Sequence, residues 1–328
     1  MLEGIRSNVG KVLFAVAMGR DLTKLDIKAR ASLSMSTVIS TVDRLTRQGL
    51  VTFTEEKGPR GGKMRSVINV HPLRRAYGLS YKSGVLTASA VNLKGEECET
   101  LSQEVMEGAL LTQSVKSVLF ALLDRAPKPL AVAFSLNCEN KQELLSSLED
   151  RLGVPCISSA NSLAVAYLSL WKGAERPVAA LGVGNGVKCA LLSGQGRRIV
   201  DFGDLPSTCL LTGEGTFRSV LSVARVEDTL RRSDYRGLYY MREGRPAEVK
   251  DLGEYSRFLS KELASLTDLV ATTLDPKRVV LFGDYLSEAF FERIKREVRA
   301  CAPDYLAADR ADFALGTALC ALTETLFN

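Results

Sequence analysis

The sequence contains a single histidine, His71, and none of its seven cysteines belongs to a Cys-x-x-Cys pair. Zinc sites and histidine-based catalytic triads need several such side chains, so the sequence predicts neither a bound metal nor a triad. Scattered cysteines in a chain of 328 residues are typical of reduced, mostly buried thiols, which favours a cytosolic protein.

Long apolar runs are also missing. No stretch approaches the roughly 18 consecutive apolar residues of a membrane span, and residues 1–20 lack the basic and then apolar order of an export signal. Hydrophobic residues make up 46% of the chain and charged residues 25%, which is the composition of a packed globular protein. We therefore expect a cytoplasmic protein of two or three domains with no membrane partner.

Positive charge is concentrated in one part of the chain. Residues 1–70 contain 12 Lys and Arg against 6 Asp and Glu, a net charge of +6, whereas the other 258 residues carry a net charge of −1. A small basic module in front of a neutral body suggests a segment that binds a polyanion such as DNA. The alternative is a basic surface that only faces solvent.

Three helices are predicted in this basic segment. The first has an apolar stripe at helical spacing, formed by Val9, Val12, Leu13 and Val16. The second begins at Thr23, whose hydroxyl is followed three residues later by the acid Asp26. The third begins with Ser34 as its N-cap and stops before Gly49.

The third helix has two distinct faces. Its inner stripe is formed by Val38, Val42 and Leu45. Its outer face combines small hydroxyl groups near the N-terminus with cations further along, which suits close approach to the major groove of double-stranded DNA. The residues predicted on this face, after Ser34 at its start, are Ser36, Thr37, Ser40, Thr41, Arg44 and Arg47.

Two strands around a basic turn follow the third helix. Residues 50–54 alternate as a strand, 57–63 form a turn, and 64–70 form the second strand. Three helices and a hairpin are the order of a winged helix-turn-helix, whose hairpin is predicted to contact phosphates through Lys57, Arg60, Lys63 and Arg65. The alternative is a small helical domain with a surface hairpin that binds another protein.

Beyond residue 71, predicted strands and helices alternate. This pattern is typical of an α/β body with mixed sheets, here in two lobes. The predicted domains are residues 1–71, 72–165 and 166–328, and a return of the last helix to the first lobe is left open.

Short motifs occur in a set order along nearly the whole chain. They include Leu22-Thr23, Asp26-Ile27, Leu33-Ser34, Gln48-Gly49-Leu50-Val51, Gly61-Gly62-Lys63, Asn92-Leu93-Lys94-Gly95, Val154-Pro155 and Leu315-Gly316-Thr317-Ala318. In this order they resemble the ROK family (repressors, open reading frames and kinases), in its regulator branch. The resemblance implies a two-lobed actin/hexokinase-like (RNase H-like) body and, for regulators, a homodimer or homotetramer that responds to a sugar or sugar phosphate.

The chain departs from the resemblance at the positions that the family's sugar kinases use for catalysis. The kinases have an Asp-x-Gly phosphate turn where this chain has Ser80-Tyr81-Lys82, and an Asn-Asp pair, with the Asp as general base, where it has Asn161-Ser162. A side chain in place of the glycine blocks close approach of a phosphate to the backbone. Serine needs a base of its own to accept a proton at neutral pH. The sequence therefore predicts no catalytic residue, no cofactor and no enzymatic activity.

Zinc and sugar positions of the family are altered as well. Gly203-Asp204-Leu205-Pro206-Ser207 stands where the family has a Gly-Glu segment that ends in a zinc-coordinating histidine, and Cys209 stands alone where many members carry a zinc loop. Asn161 and Asp204 are the polar residues that remain at sugar-contact positions. They are candidates for effector binding, with a purely structural role as the alternative.

These features predict a DNA-binding transcriptional regulator, with repression as the expected output, that binds a pseudo-palindromic operator. Two interpretations of its body stay open. In one the body dimerises and senses a sugar or sugar phosphate, and in the other it is a dimerisation scaffold without a ligand. A sugar kinase that phosphorylates hexoses with ATP is the third alternative.

Overall fold

The computed structural model describes residues 5–57, 64–105, 111–138, 140–184, 186–207, 215–232 and 254–327. By compactness the chain divides into two units. Unit 1 comprises Met1–Ser80, Leu86–Ser159 and Thr317–Asn328, and unit 2 comprises Tyr81–Val85 and Ala160–Gly316. Within the described residues, no helix combines the length and the apolar character needed to cross a membrane.

The head, which we define as residues 5–70, has the element order that the sequence predicts. Three helices precede a two-stranded antiparallel sheet: α1 (Asn8–Ala17), α2 (Lys24–Ala31), α3 (Met35–Arg47), β1 (Val51–Lys57) and β2 (Met64–Val70). The predicted caps are confirmed, because the Thr23 hydroxyl accepts from the Asp26 amide and the Ser34 hydroxyl accepts from the Thr37 amide. Each bond satisfies an amide that has no partner inside its own helix.

The core of the head is built from the predicted stripes. Val12, Leu13 and Val16 of α1 are fully buried, and so are Val38, Val42 and Leu45 of α3. Gly49, just after α3, has a φ of +63°, a left-handed conformation that glycine adopts without steric cost and that ends the helix.

A five-stranded sheet lies mostly within unit 1. Its strands are β3 (Arg75–Lys82), β4 (Val85–Asn92), β5 (Glu97–Glu104), β6 (Val132–Ser135) and β7 (Cys156–Ser158), in the spatial order β5-β4-β3-β6-β7. Strand β6 is parallel to both of its neighbours, and the unit also contains α4 (Leu111–Arg125) and α5 (Lys141–Leu152). The sequence does not predict β5, because its mostly polar and exposed residues show no apolar alternation.

Unit 2 contains a second five-stranded sheet. Its strands are β8 (Val178–Val183), β9 (Val187–Ser193), β10 (Gly196–Asp201), β11 (Arg278–Gly283) and β12 (Asp304–Tyr305), in the spatial order β10-β9-β8-β11-β12. Strands β8, β9 and β10 are antiparallel, whereas β11 is parallel to β8 and β12. The helices that follow β7 are α6 (Asn161–Trp171), α7 (Phe217–Leu221), α8 (Val223–Arg232), α9 (Glu254–Leu274), α10 (Glu288–Glu297) and α11 (Arg310–Leu322).

The prediction of an α/β body with mixed sheets is therefore confirmed. In unit 2 the core lies between the sheet and its helices, with Leu181 of β8, Leu281 of β11 and Leu263 of α9 all buried in it. The predicted domain limits at residues 71 and 165 concern which segments fold independently, and they stay predictions.

The cysteines within the described ranges form no disulfide with one another, and they are less buried than the sequence predicts. Of those within the described ranges, Cys189 and Cys320 are buried, Cys98 is exposed and the others are half-buried. The expectation of mostly buried thiols is therefore wrong. Burial raises the pKa of Cys189 to about 12, so this thiol stays protonated at neutral pH.

Helix α1 packs against a π-helical turn, Thr323–Phe327, within unit 1. The rings of Phe14 and Phe327 meet edge to face with their centres 5.4 Å apart, and both are buried. A Cβ atom at Gly10 would lie 2.6 Å from the carbonyl oxygen of Phe327, so only glycine fits there without a shift of the backbone. The stability of the head therefore depends on residues distant in sequence.

We expect Phe327→Ala to lower the free energy of unfolding by about 3 kcal/mol, because it leaves a cavity beside Phe14. Denaturant unfolding followed by circular dichroism measures this change. Leu25→Ala removes an exposed apolar side chain of α2 and serves as the control, with an expected change below about 0.5 kcal/mol. Equal losses for both variants would contradict the packing of Phe327 on α1.

Candidate functional site

The outer face of α3 begins with a cluster of hydroxyl groups. The Oγ atom of Ser34 lies 2.9 Å from Ser36 Oγ and 2.8 Å from Thr37 Oγ1, and Ser40 donates to the carbonyl oxygen of Thr37 at 3.1 Å. The three serines are exposed and Thr37 is half-buried. Because hydroxyl groups rotate to donate or accept, this end of the helix can serve both base edges and phosphates.

Thr41 does not lie on this face. Its relative exposure is 6%, and it is among the buried residues of α3. The prediction that it faces outward is wrong, because Thr41 is three residues after Val38 and four before Leu45, which aligns it with the apolar stripe.

The last turns of α3 supply cations. Arg44 and Arg47 are both exposed, and the Nε atom of Arg47 donates to the carbonyl oxygen of Asp43 at 3.4 Å. A guanidinium group has five donors in a planar fork, which suits bidentate contact with guanine or with a phosphate.

Two further residues of this face are not among those predicted. Ile39 is 40% exposed. Asp43, one turn later, is exposed, with its Oδ1 atom 3.9 Å from the Nζ atom of Lys24 on α2. The sequence does indicate that Ile39 is exposed, because Ile39 lies outside the helical spacing that joins Val38 to Val42. Residue type alone would place an isoleucine in the core.

The strands of the hairpin lie within the described residues, but its turn does not. Lys57 ends β1 and pairs with Met64 of β2. Arg60 and Lys63, both predicted to contact phosphate, fall outside the described residues. Their role and that of Lys57 stay predictions.

The pKa of Asp26 at the start of α2 is lowered, chiefly by the hydrogen bond from the Thr23 side chain. Arg65, which is exposed on β2, makes a smaller contribution in the same direction. An ionised Asp26 also complements the positive end of the α2 dipole. The exposed cations of the head therefore extend from α3 to β2.

In unit 2, Asp204 is engaged with a neighbouring arginine. It is 84% exposed in the turn after β10, and its Oδ1 atom lies 3.2 Å from the Nε atom of Arg218. The same guanidinium lies 3.1 Å from Asp201. Exposed pairs of this kind add little stability, so the structure gives Asp204 a local ion-pair role, and its proposed contact with an effector stays a prediction.

Asn161 lies on a different element of unit 2. Asn161 is half-buried and is the first residue of α6. The N-cap residue before it, Ala160, has no polar side-chain group to cap the helix. The next residue, Ser162, is buried. The structure places Asn161 at a helix start and Asp204 in a strand-end turn, and effector contact by Asn161 also stays a prediction.

Lys82 is held by a carboxylate and an aromatic ring. Its Nζ atom lies 2.8 Å from Oδ1 of Asp284 and 4.3 Å from the ring centre of Phe313. The side chains of Lys82 and Asp284 are 18% and 30% exposed, so water screens this pair less than a surface pair. The ammonium group of Lys82 is thus already paired within the protein.

Gly182 of β8 and Gly184 just after it lie close to β11 and to Asp284, which follows β11. A Cβ atom at Gly184 would stand 3.1 Å from Oδ2 of Asp284, and one at Gly182 would collide with the ring of Phe282. Close packing therefore requires glycine at position 182, whereas at position 184 a small shift of the Asp284 carboxylate would admit a side chain.

The described parts of the chain contain no cluster of three or more side chains suited to hold a metal ion. This holds for histidine, cysteine, aspartate and glutamate side chains.

The structure resembles solved ROK proteins. A ROK family transcriptional regulator, described as a homologue of the E. coli MLC protein, matches with a TM-score of 0.71 at 12% identity and covers 99% of this chain and 96% of that one. The chain has the ROK fold. A ROK hexokinase from Thermus thermophilus matches at 0.55 and 19% identity, covering 76% and 99%. A ROK family glucokinase from Streptomyces griseus, solved with glucose and AMPPNP, matches at 0.51 and 18%, covering 75% and 99%.

No family model matches the sequence, and no curated protein matches it. The coverage distinguishes the two kinds of ROK protein, since the regulator matches almost the entire chain and the two kinases about three quarters of it. Because those kinases are themselves matched over 99% of their length, about a quarter of this chain has no counterpart in them.

A double-mutant cycle with Lys82→Ala and Asp284→Ala should give a coupling energy of about 1 to 2 kcal/mol in denaturant unfolding, because the pair is shielded from water. The control is the exposed pair Lys277 and Glu175, whose atoms lie 3.1 Å apart. Its coupling should stay below about 0.5 kcal/mol. A coupling for Lys82 and Asp284 no larger than the control would show that the pair contributes no more than a surface contact.

Proposed function

We propose that this protein is a DNA-binding transcriptional regulator of the ROK type, with repression as its output. The observation that carries the proposal is the outer face of α3, where exposed serine hydroxyls precede the exposed cations Arg44 and Arg47. The net charge of +6 on residues 1–70 supports it, since a polyanion is the complementary partner. The match of a ROK transcriptional regulator to 99% of the chain supports it further.

In this proposal the head is a winged helix-turn-helix domain of residues 1–71. Helix α3 enters the major groove, α2 crosses the backbone, and the hairpin of β1 and β2 lies along phosphates. The body dimerises, so two copies of α3 reach successive grooves of a pseudo-palindromic operator with half-sites ~10 bp apart or a multiple of that. A tetramer would join two such dimers.

The body is proposed to have lost kinase chemistry. Ser162 replaces the general base of the kinases, and loss of a general base typically costs a factor of ~10²–10⁴ in rate. Lys82, paired with Asp284, occupies the glycine position of the phosphate turn. Whether the body senses a sugar or sugar phosphate through Asn161 and Asp204 or acts only as a scaffold is decided by ligand binding.

Arg44→Ala should weaken binding to the operator by ~1–3 kcal/mol if its guanidinium reaches a base edge. The operator is obtained by selection of protein-bound duplexes from a random library, and affinity is measured by fluorescence anisotropy at fixed salt. Lys261→Ala removes an exposed cation of α9 in the body and should leave the affinity unchanged. Failure of the wild-type protein to retain any duplex at low salt would overturn the proposed function.

A sugar kinase is the second candidate, favoured by the match of ROK kinases to three quarters of the chain. We expect no ATP turnover with hexoses above background in a coupled assay. Turnover that disappears in the Asn161→Ala and Asp204→Ala variants would establish the kinase, and turnover that persists in both would indicate a contaminant.

Thermal unfolding with a panel of sugars and sugar phosphates then distinguishes a body that senses a ligand from a body that acts only as a dimerisation scaffold. A ligand at a hundred times its Kd adds ~2.7 kcal/mol of stability. A scaffold would show no shift with any member of the panel.

A further inference from the structure

The outer face of α3 has an apolar centre. Ile39 is 40% exposed, although Val38 beside it and Val42 three residues later are fully buried. Exposed polar residues surround it on the helix, with Ser36 three positions before and Ser40 directly after. The core of the head therefore leaves this one branched hydrocarbon on a face of α3 that is otherwise polar and charged.

The serines around Ile39 bond within the head. Ser36 shares a hydrogen bond with Ser34, and Ser40 donates to the carbonyl oxygen of Thr37. A serine that bonds its own helix stays close to the helix surface. The longer side chain of Ile39 consequently reaches further from the axis of α3 than these two neighbours do.

The charged residues on the same face of α3 indicate which kind of molecule contacts Ile39. The acid Asp43 is exposed one turn later, but its Oδ1 atom lies 3.9 Å from the Nζ atom of Lys24. Arg44 and Arg47 are exposed further along α3, and residues 1–70 carry a net charge of +6. An apolar protein surface would leave these cations without partners, whereas duplex DNA supplies phosphates for them. Among the base edges in the major groove, the C5-methyl group of thymine is the one apolar group.

We propose that Ile39 reads a thymine methyl group in each half-site of the operator. This inference rests on the proposed function, because it requires α3 to enter the major groove. It adds a specificity-determining residue that makes an apolar contact, next to serine and arginine side chains that make polar ones. Burial of one methyl group corresponds to about a fourfold gain in affinity.

The test replaces thymidine by deoxyuridine, which pairs identically but lacks the methyl group, at one position of the selected operator at a time. We expect one position in each half-site at which the wild-type protein loses about fourfold in affinity per methyl group removed. Ile39→Ala should lose a similar factor on the thymine operator and should no longer respond to deoxyuridine at that position. Ile39→Val, which keeps a branched side chain, should retain part of the response.

Leu25→Ala is the matched control, since Leu25 is another exposed apolar residue of the head. It should respond to deoxyuridine as the wild-type protein does. Circular dichroism should show unchanged unfolding for Ile39→Ala, because the side chain lies outside the core.

The possible failures are distinguishable. If the wild-type protein binds its selected operator but no position responds to deoxyuridine, or if Ile39→Ala responds as the wild type does, the inference is overturned and the proposed function stands. If the wild-type protein selects no duplex, the proposed function is overturned and the inference with it. Normal DNA binding by Ile39→Ala together with loss of a protein partner would likewise overturn the inference.

Discussion

Burial of Val38, Val42 and Leu45 fixes the rotation of α3 about its own axis. Because successive residues of a helix are 100° apart, the three buried positions determine which side chains leave the core and which stay inside. The Ser34 cap fixes where the helix starts, so the hydroxyl groups lie at its beginning and the cations at its end. The proposed contacts of α3 with DNA depend on this orientation.

The body has a fold that solved kinases and a solved regulator share. Its sheets give it the ROK fold, shared with kinases and with a regulator. Within unit 2 the ammonium group of Lys82 is paired with Asp284 and lies over the ring of Phe313. Gly182 of β8 is required by packing, because a Cβ atom there would collide with the ring of Phe282. Glycines at such positions are therefore weak evidence for a bound nucleotide, because close packing requires the same residue.

Features set by neighbouring residues were predictable from the sequence, and features set by tertiary contacts were not. The caps at Thr23 and Ser34 involve partners three residues away, so spacing alone identifies them. The pair of Lys82 with Asp284 joins distant segments, and no local pattern indicates it. Strand β5 lies at the edge of its sheet with mostly exposed residues, so it lacks the alternation that identifies a half-buried strand.

On α3 the errors concern single positions at the border of a stripe. Thr41 was assigned outward because it is polar, although its spacing from Leu45 places it inside. Ile39 shows the reverse case, in which side-chain type suggests the core and spacing excludes it. For both residues the helical period gives the correct burial, whereas the residue type gives the wrong one. A short polar side chain is tolerated in a core, and a single apolar side chain is tolerated on a surface.

The contact of Phe14 with Phe327 has a consequence for biosynthesis. More than three hundred residues separate the two rings in the chain, and a ribosome makes them in that order. While the body is being translated, α1 therefore lacks the aromatic partner that later covers Phe14. The basic segment is made early, but this part of its packing is completed only when the last residues of the chain have been made.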